Sequence, residues 1–530
     1  MGTCCVRDNN IIQSNLLNSN MKRGLYRTNR SSVYQLNREN IFDVYEFCGK
    51  ISSGYYGTVN KAYIKGNKTK FYAVKTIAKE NLSQKNLKNL ISEIQVLSKL
   101  DHPNIVKYYE TYDDDKNFHL IMELCEGGEL FDRIAKNKRL SEKAAAEILF
   151  KLTHAISHCH SRGIVHRDMK AENVLFESKS NDKNDVKLID FGLAKKQNKN
   201  KMHSIVGTPC YVAPEVLNGS YDKKCDIWGL GVLTYIMLYG RYPFDDVNKN
   251  ILFEKIKTKE PIYNCKLSKE ANNIIRLMLN KDPNKRPNAQ ELLDNLWFNK
   301  TIKNLFKNSI KDLEIIRILK NFKIPNNFMK KILSFIVKEI HLSEIENIKK
   351  NFYILDYNKN GNIELSRYNS NLDKESILNE NTKKESNKNN LDINNNNGIN
   401  NNNNNNNNYN NNNIFSDCLL NKAMKKNFSS NLDSSFNEKR EDMNYTNYIA
   451  AYLKEKKLIT KEKIKEIFDR FDLDKSGILN IIKFHKVLRR TGKNINENDT
   501  EKMLIEAGFN DPDDIRYEEF YQVIYDYLYK

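Results

Sequence analysis

The chain has 530 residues, 39% of them hydrophobic and 29% charged, with a formal net charge of +19. That length leaves room for two or three domains with their own cores, and no apolar run reaches the roughly 18 residues of a membrane span; the best, Ile332 to Val337, is flanked by lysines and reads as one face of a helix. The lysines are scattered through a Lys/Asn-rich background without a nucleic-acid-binding motif, which argues against DNA or RNA as a partner, and the nine cysteines have no CxxC pair or regular spacing that would mark a disulfide framework.

Residues 1–44 are Asn/Ser/Arg-rich and are expected to be disordered. Their opening, Met1-Gly2-Thr3-Cys4-Cys5, resembles an acylation signal with myristate on Gly2 and palmitate on Cys4 and Cys5. Two lipid signals hold a protein at a membrane where one does not. Val6 stands where such signals carry Ser or Thr, so a tail in which Gly2 has no role stays open as the alternative. Aromatic and β-branched residues predict strands from Tyr45 to Ala62 and from Lys70 to Ile77. Leu90, Ile91, Ile94 and Leu97 have helical spacing, which predicts a helix from Leu87 to Leu100, ending before Asp101-His102-Pro103. Beyond Gly127-Gly128 the pattern is mostly helical to Phe298.

Five motifs stand in fixed order through this region: Ser52-Ser-Gly54-Tyr-Tyr-Gly57-Thr-Val59, Ala73-Val-Lys75, His166-Arg-Asp168-Met-Lys170-Ala-Glu-Asn173, Asp190-Phe-Gly192 and Ala213-Pro-Glu215. Their order matches the protein-kinase signature set, so residues 45–298 resemble a protein kinase domain. The resemblance implies an α+β, bilobal fold that binds ATP and Mg²⁺. Ile51, Ser52, Gly54, Gly57 and Val59 would cover the nucleotide. Ala73, Met122, Glu123, Cys125 and Glu129 would hold the adenine and ribose. Lys75, paired with Glu93, would reach the phosphates, and Asn173 and Asp190 would hold the metal. Asp168 would accept the proton of the incoming hydroxyl, and Lys170 marks a Ser/Thr kinase. Glu215 is expected to pair with Arg286, and Asp226 to brace the catalytic loop. Glu129 and Glu172 fall where kinases of basic substrates meet arginine or lysine. The segment from Leu193 to Val212 contains no Asp or Glu, so phosphorylation of Ser204 is expected to supply an anion for Arg167.

Residues 305–345 are amphipathic and helical, and a repeat follows them. Asp356-Tyr-Asn358-Lys-Asn360-Gly361 and Asp472-Leu-Asp474-Lys-Ser476-Gly477 open like EF-hand loops. Exit helices place two weaker copies at Phe436 and Gly508, so the last three starts are 36 residues apart. The first interval is 80 residues and contains the Asn-rich tract, a disordered insert over about 369–430. A kinase domain, a junction helix and four hands in residues 346–530 resemble the calcium-dependent protein kinase family. In that family the junction helix blocks the active site until the sensor withdraws it. Calcium needs a bidentate carboxylate at loop position 12, but Arg367 and Lys483 stand there in the first and third hands. The second and fourth loops lack a leading acid. Calcium is therefore left open, with Asp472, Asp474 and Ser476 ahead of Asp356, Asn358 and Asn360 as ligands.

The reading is an all-α EF-hand domain regulating a basophilic Ser/Thr kinase, a cytoplasmic monomer held at membranes by its acyl chains. A non-catalytic scaffold, or a kinase switched by separate calmodulin on the junction helix, are the alternatives.

Overall fold

The computed structural model describes residues 40–54, 57–180, 184–196, 202, 206–263, 266–302, 315, 318–319, 325–339, 346–365, 442–472, 474–490 and 495–529. Gly2, Cys4, Cys5, Ser204, Arg367, Phe436, the Asn-rich tract and much of the junction segment lie outside the described residues.

Five strands, β1 (Tyr45–Gly54), β2 (Gly57–Ile64), β3 (Asn67–Ala78), β4 (Tyr108–Asp113) and β5 (Asn117–Glu123), form an antiparallel sheet in the order β1-β2-β3-β5-β4. Helix α1 (Gln84–Leu97) packs on it, started by the Ser83 side chain, which accepts a hydrogen bond from the Asn86 amide. Its buried stripe is Leu90, Ile94 and Leu97, interrupted by one buried charge, Glu93.

The second lobe is helical. α2 (Leu130–Asn137) and α3 (Glu142–Ser161) precede the hairpin of β6 (Val174–Phe176) and β7 (Val186–Leu188). α4 (Lys224–Tyr239) is apolar around its whole circumference and is buried nearly end to end, as such a helix must be. Arg286, almost fully buried, pairs bidentately with Glu215 at 2.6 and 2.7 Å.

The C-terminal module begins with α5 (Asn327–Glu339) and α6 (Glu346–Leu355) and continues through α7 (Tyr445–Glu455), α8 (Lys461–Phe471), α9 (Ile481–Arg490), α10 (Glu497–Ala507) and α11 (Tyr517–Tyr529). Two short ladders join its loops: β8 (Asn362–Ile363) with β9 (Met443–Asn444), and β10 (Ile478–Leu479) with β11 (Ile515–Arg516). Ile363 pairs with Met443 and Leu479 with Ile515, the eighth position of each hand. The hands are thus coupled in pairs, the last two in the register that their 36-residue spacing predicts.

The described helix of the junction segment, α5, packs within the C-terminal module, and most of the rest of residues 305–345, where the blocking position was expected, lies outside the described residues. Phe328, Ile332, Phe335 and Ile336 are buried in the core of the C-terminal module, with Phe471, Phe484 and Phe520. An amphipathic helix buries its apolar stripe where a matching groove exists, and the paired hands supply that groove.

The module sits on the two-lobed domain along two seams. At the first, Glu339 of α5 accepts a hydrogen bond from Tyr72 of β3 at 2.8 Å and pairs with Arg470 of α8. Arg470 also reaches Glu110 of β4 at 3.5 Å. At the second, α6 inserts Tyr353, whose hydroxyl donates to Asn104, and the first hand loop lies against the end of α3. There the Asn360 carbonyl accepts from Arg162 at 3.0 Å. Gly361, at φ +79, lies so close to the His158 ring that a Cβ would overlap it.

Three histidines are buried at this second seam. His154 packs on Tyr353 with ring centroids 5.0 Å apart, and His102 on His158 at 5.2 Å. His158 Nε2 accepts from the Asp101 amide, and Nδ1 lies 2.9 Å from the Arg162 guanidinium and 3.2 Å from the Asn360 carbonyl. Burial, then Arg162, pushes His158 down to about 3. Burial, then Lys359, does the same to His154, and burial holds His102 well below the ordinary value. The unfolded chain binds protons near 6.5 that the folded chain refuses, so stability is complete above 6.5 and falls as the pH drops towards 3. The expected slope is about 1.4 kcal/mol per pH unit for each histidine. Urea denaturation across this range measures it. His158→Gln should flatten the slope, and an unchanged slope would show that His158 is not a source of it.

Candidate active site and calcium loops

The Gly-rich turn joins β1 to β2. Ser52 pairs with Val59 and Gly54 with Gly57. Gly57 has φ +150, and a side chain there would run into the Thr76 carbonyl of β3, so only glycine lets the hairpin lie this close. Val59 pairs with Lys75, and Ala73 with Met122. The strands therefore bring together Val59, Ala73, Lys75 and Met122, with half-exposed Ile51 on β1 and Cys125 just past β5.

Lys75 Nζ meets Glu93 Oε1 at 2.9 Å, joining β3 to α1. Asp190 has a left-handed backbone, φ 58, and accepts a hydrogen bond from the Gly192 amide at 3.1 Å. Burial opposes its charge, but Lys75 prevails and holds its carboxyl below the usual carboxylate range. The neighbouring Phe191 ring lies edge-on to His166, 4.8 Å between centroids.

Asp226, buried on α4, organises the catalytic loop. It accepts hydrogen bonds from the amides of His166 (2.9 Å) and Arg167 (2.8 Å), and from His160 Nε2 (2.8 Å). Arg167 is also left-handed, with φ 70, and donates through Nε to the Leu193 carbonyl. The next residue, Asp168, is the centre of the site. Its Oδ2 lies 2.9 Å from Lys170 Nζ and 3.0 Å from Asn173 Nδ2, and its Oδ1 accepts from Thr208 Oγ1 at 3.2 Å. Burial works against the Lys170 ammonium, but Asp168 more than compensates and raises its pKa above the ordinary value.

Asn173 commits its amide nitrogen to Asp168, so its oxygen is the atom left to face a cation. An ionised carboxylate and an amide oxygen are the hard donors that magnesium prefers. Asp190 and Asn173 thus fit the metal that accompanies ATP.

Two acidic side chains flank this centre. Burial, then Asp132 and Glu172, raises the pKa of Glu129. Glu172 keeps its Oε2 buried without a hydrogen-bond partner.

A protein kinase domain model matches residues 45–298. Calcium-dependent protein kinase 5 of Plasmodium falciparum (isolate 3D7) is 36% identical over 348 residues, 64% of this chain and 61% of that one. Calcium-dependent protein kinase 3 of Plasmodium berghei (strain Anka) is 31% identical over 525 residues, 94% of this chain and 85% of the relative. Calcium-dependent protein kinase 14 of Arabidopsis thaliana is 31% identical over 457 residues, 85% and 77% of the two chains. The chain belongs to the calcium-dependent protein kinase family. Its match spans less than two thirds of the first two curated relatives, at 61% and 64% of their lengths.

Against that family name, the calcium ligands are the residues that fit least. In the third hand Asp472, Asp474 and Ser476 do converge, but on a side chain. Lys483 Nζ lies 2.8 Å from Asp472 Oδ1, 2.5 Å from Asp474 Oδ1, 2.6 Å from Ser476 Oγ and 2.7 Å from the Ile478 carbonyl. Burial works against this ammonium, but Asp472 and Asp474 outweigh it and raise its pKa. The hydrogen bond from Lys483 holds Asp474 well below the usual range. In the first hand Asp356 receives the amides of Asn360 and Gly361 at 3.0 and 2.7 Å, while Asn358 and Asn360 turn their carbonyls to Gln290 and Arg162 of the kinase. In the fourth, Gly508 caps α10 in a left-handed turn and Glu519 accepts from the Asn510 amide. Among the described residues no group of three or more His, Cys, Asp or Glu is arranged to hold a metal.

Two features escape motif reading. Thr208 completes the hold on Asp168, although its Gly207-Thr208-Pro209 context was the available signal. Behind the hinge, fully buried Lys187 meets Glu123 at 3.0 Å and Glu177 at 3.3 Å, as ion contacts rather than aligned hydrogen bonds. Lys349 of α6 joins Glu177 at 2.6 Å and so ties the hinge to the C-terminal module.

Thr208 is a positioning residue, and a hydrogen bond to a charged group contributes about 1.5–3 kcal/mol. Thr208→Val should lower kcat by about tenfold or more, with the KM for ATP unchanged and rescue by Thr208→Ser. A steady-state comparison of the three proteins decides it; equal kcat for Val and Thr would remove Thr208 from the site.

Proposed function

We propose that the chain is a Ser/Thr protein kinase that transfers the γ-phosphoryl group of ATP to hydroxyls in basic protein segments, under the control of its docked C-terminal module. The observation that carries the reading is the assembled cleft: Lys75 is paired with Glu93 while Asp168 is held by Lys170, Asn173 and Thr208. A scaffold would have no use for this constellation.

Asp168 presents an ionisable oxygen to take the proton of an incoming Ser or Thr hydroxyl. Lys170, bonded to the same carboxylate, places a positive charge beside it where negative charge gathers. Glu93 keeps Lys75 aimed into the cleft. Mg²⁺, when bound by Asp190 and Asn173 with ATP, supplies charge neutralisation at the phosphates. The unpartnered oxygen of Glu172, beside Glu129, supports recognition of an arginine near the target hydroxyl.

The seams on β3, β4 and α3 support regulation through docking of the module on the side of the sheet facing away from substrate. Myristate on Gly2 and palmitate on Cys4 and Cys5 would hold a cytoplasmic monomer at a membrane. Phosphate on Ser204 would supply an anion to Arg167.

The test is phosphate transfer from ATP to a serine peptide bearing an upstream arginine, beside the same peptide with alanine there. Asp190→Ala should reduce transfer by about 10³-fold. Glu172→Gln should raise the KM for the arginine peptide by about tenfold and leave the alanine peptide unaffected. No transfer by the wild-type protein would defeat the catalytic reading, and equal use of the two peptides would defeat basophilicity.

A further inference from the structure

The third hand has the shape of a calcium loop and the wrong residue at its end. An EF-hand loop offers the ion oxygens from positions 1, 3, 5 and 7 and closes with a carboxylate at position 12. Here the first four are Asp472, Asp474, Ser476 and the Ile478 carbonyl, and all four contact one atom, Lys483 Nζ, at 2.5–2.8 Å. Lys483 is itself position 12. The residue that should have gripped the metal has put its own cation among the metal's ligands.

We infer that the Lys483 ammonium is a built-in substitute for calcium, a tethered cation that closes the third hand and keeps the C-terminal module docked on the kinase without metal.

The electrostatics agree. Two carboxylates, Asp472 and Asp474, meet two lysines in the same loop, Lys483 inside and Lys475 exposed, so the closed loop carries no net charge. A tethered ammonium also competes at a high effective concentration that a dissolved ion must overcome. To enter, calcium would have to expel Lys483 and still find no carboxylate at the closing position.

The loop is placed where its closure matters. α8 leads into it and α9 leads out, so closure sets the angle between them. Arg470, near the end of α8, pairs with Glu339 and reaches Glu110 of β4. Arg490, at the end of α9, lies over the Tyr112 ring of the same strand, 5.5 Å from its centroid. Both helices hold the back of the kinase sheet, and Lys483 holds the two helices together. The paired fourth hand follows through Leu479 and Ile515.

This inference deepens the regulatory part of the proposed function and rests on it only for the effect on catalysis. The position of the ammonium can be read separately. The full-length protein is acetylated with an amine-reactive reagent in chelator and in calcium up to about 1 mM, where even weak EF-hand modules fill. Mass spectrometry then compares Lys483 with Lys475. Lys483 should react about tenfold more slowly, because reaction waits on local opening of the loop, and its rate should be the same in both buffers. Lys483 reacting as fast as Lys475 in chelator, or faster once calcium is added, would overturn the inference.

A second arm uses Lys483→Glu, which restores the closing carboxylate. Its melting temperature should rise with calcium, and its peptide phosphorylation should differ between calcium and chelator, whereas the wild type responds in neither assay. A folded Lys483→Glu protein whose melting temperature ignores calcium would count equally against it. The labelling arm involves no catalysis, so an inactive kinase and a misplaced ammonium give different results.

Discussion

The arrangement around Asp168 depends on a carboxylate buried away from it, on α4. Asp226, buried on α4, takes the amides of His166 and Arg167 and the ring of His160, and so holds Arg167 in a left-handed conformation. Such a backbone costs a non-glycine residue roughly 1–3 kcal/mol. Hydrogen bonds to a charged acceptor contribute about 1.5–3 kcal/mol each, so three of them outweigh the strain. The turned backbone sets the position from which Asp168 meets Lys170, Asn173 and Thr208. Asp190 repeats the device on the facing loop, with its own left-handed backbone and an amide from Gly192.

The two halves of the chain meet through buried charge as well as through the apolar insertion of Tyr353. Glu339 and Arg470 come from the C-terminal module and Glu110 from the kinase; Lys349 comes from the module, and Glu177, Lys187 and Glu123 from behind the hinge. Buried ion pairs contribute little net stability, because desolvation opposes the Coulomb gain, but leaving one partner alone is expensive. An interface of this kind strongly prefers one registration over its neighbours. It couples the angle of α5 and α8 to the sheet that carries Lys75.

The kinase centre was legible because its chemistry is written in short contiguous motifs whose members meet over small distances. Lys75, Asp168, Asn173 and Asp190 each lie in such a motif, and Glu93 is the one charge on the buried stripe of α1. The register of the last two hands followed from their 36-residue spacing, whereas the second hand, 80 residues from the first, was aligned through its exit helix at Tyr445. The location of α5 was not legible. An amphipathic pattern says which face is covered, and nothing in Phe328, Ile332 and Phe335 distinguishes a kinase cleft from a groove between hands. Lys187 escaped for a related reason: in sequence it is one more lysine of many, and only the fold brings Glu123 and Glu177 to it. At Lys483 the residue type warned against calcium, but whether the side chain points outward or inward is a matter of three dimensions.

Gly361 carries a consequence for how such a module can change over time. In a working calcium loop the sixth residue is glycine because the chain must bend sharply around the ion. Here the same glycine also lets the loop rest against the His158 ring, where any larger residue would collide. The two demands are independent. Were a hand of this kind to give up its metal, this position would still be bound to glycine by its neighbour, preserving the outward signature of an ion site that no ion required.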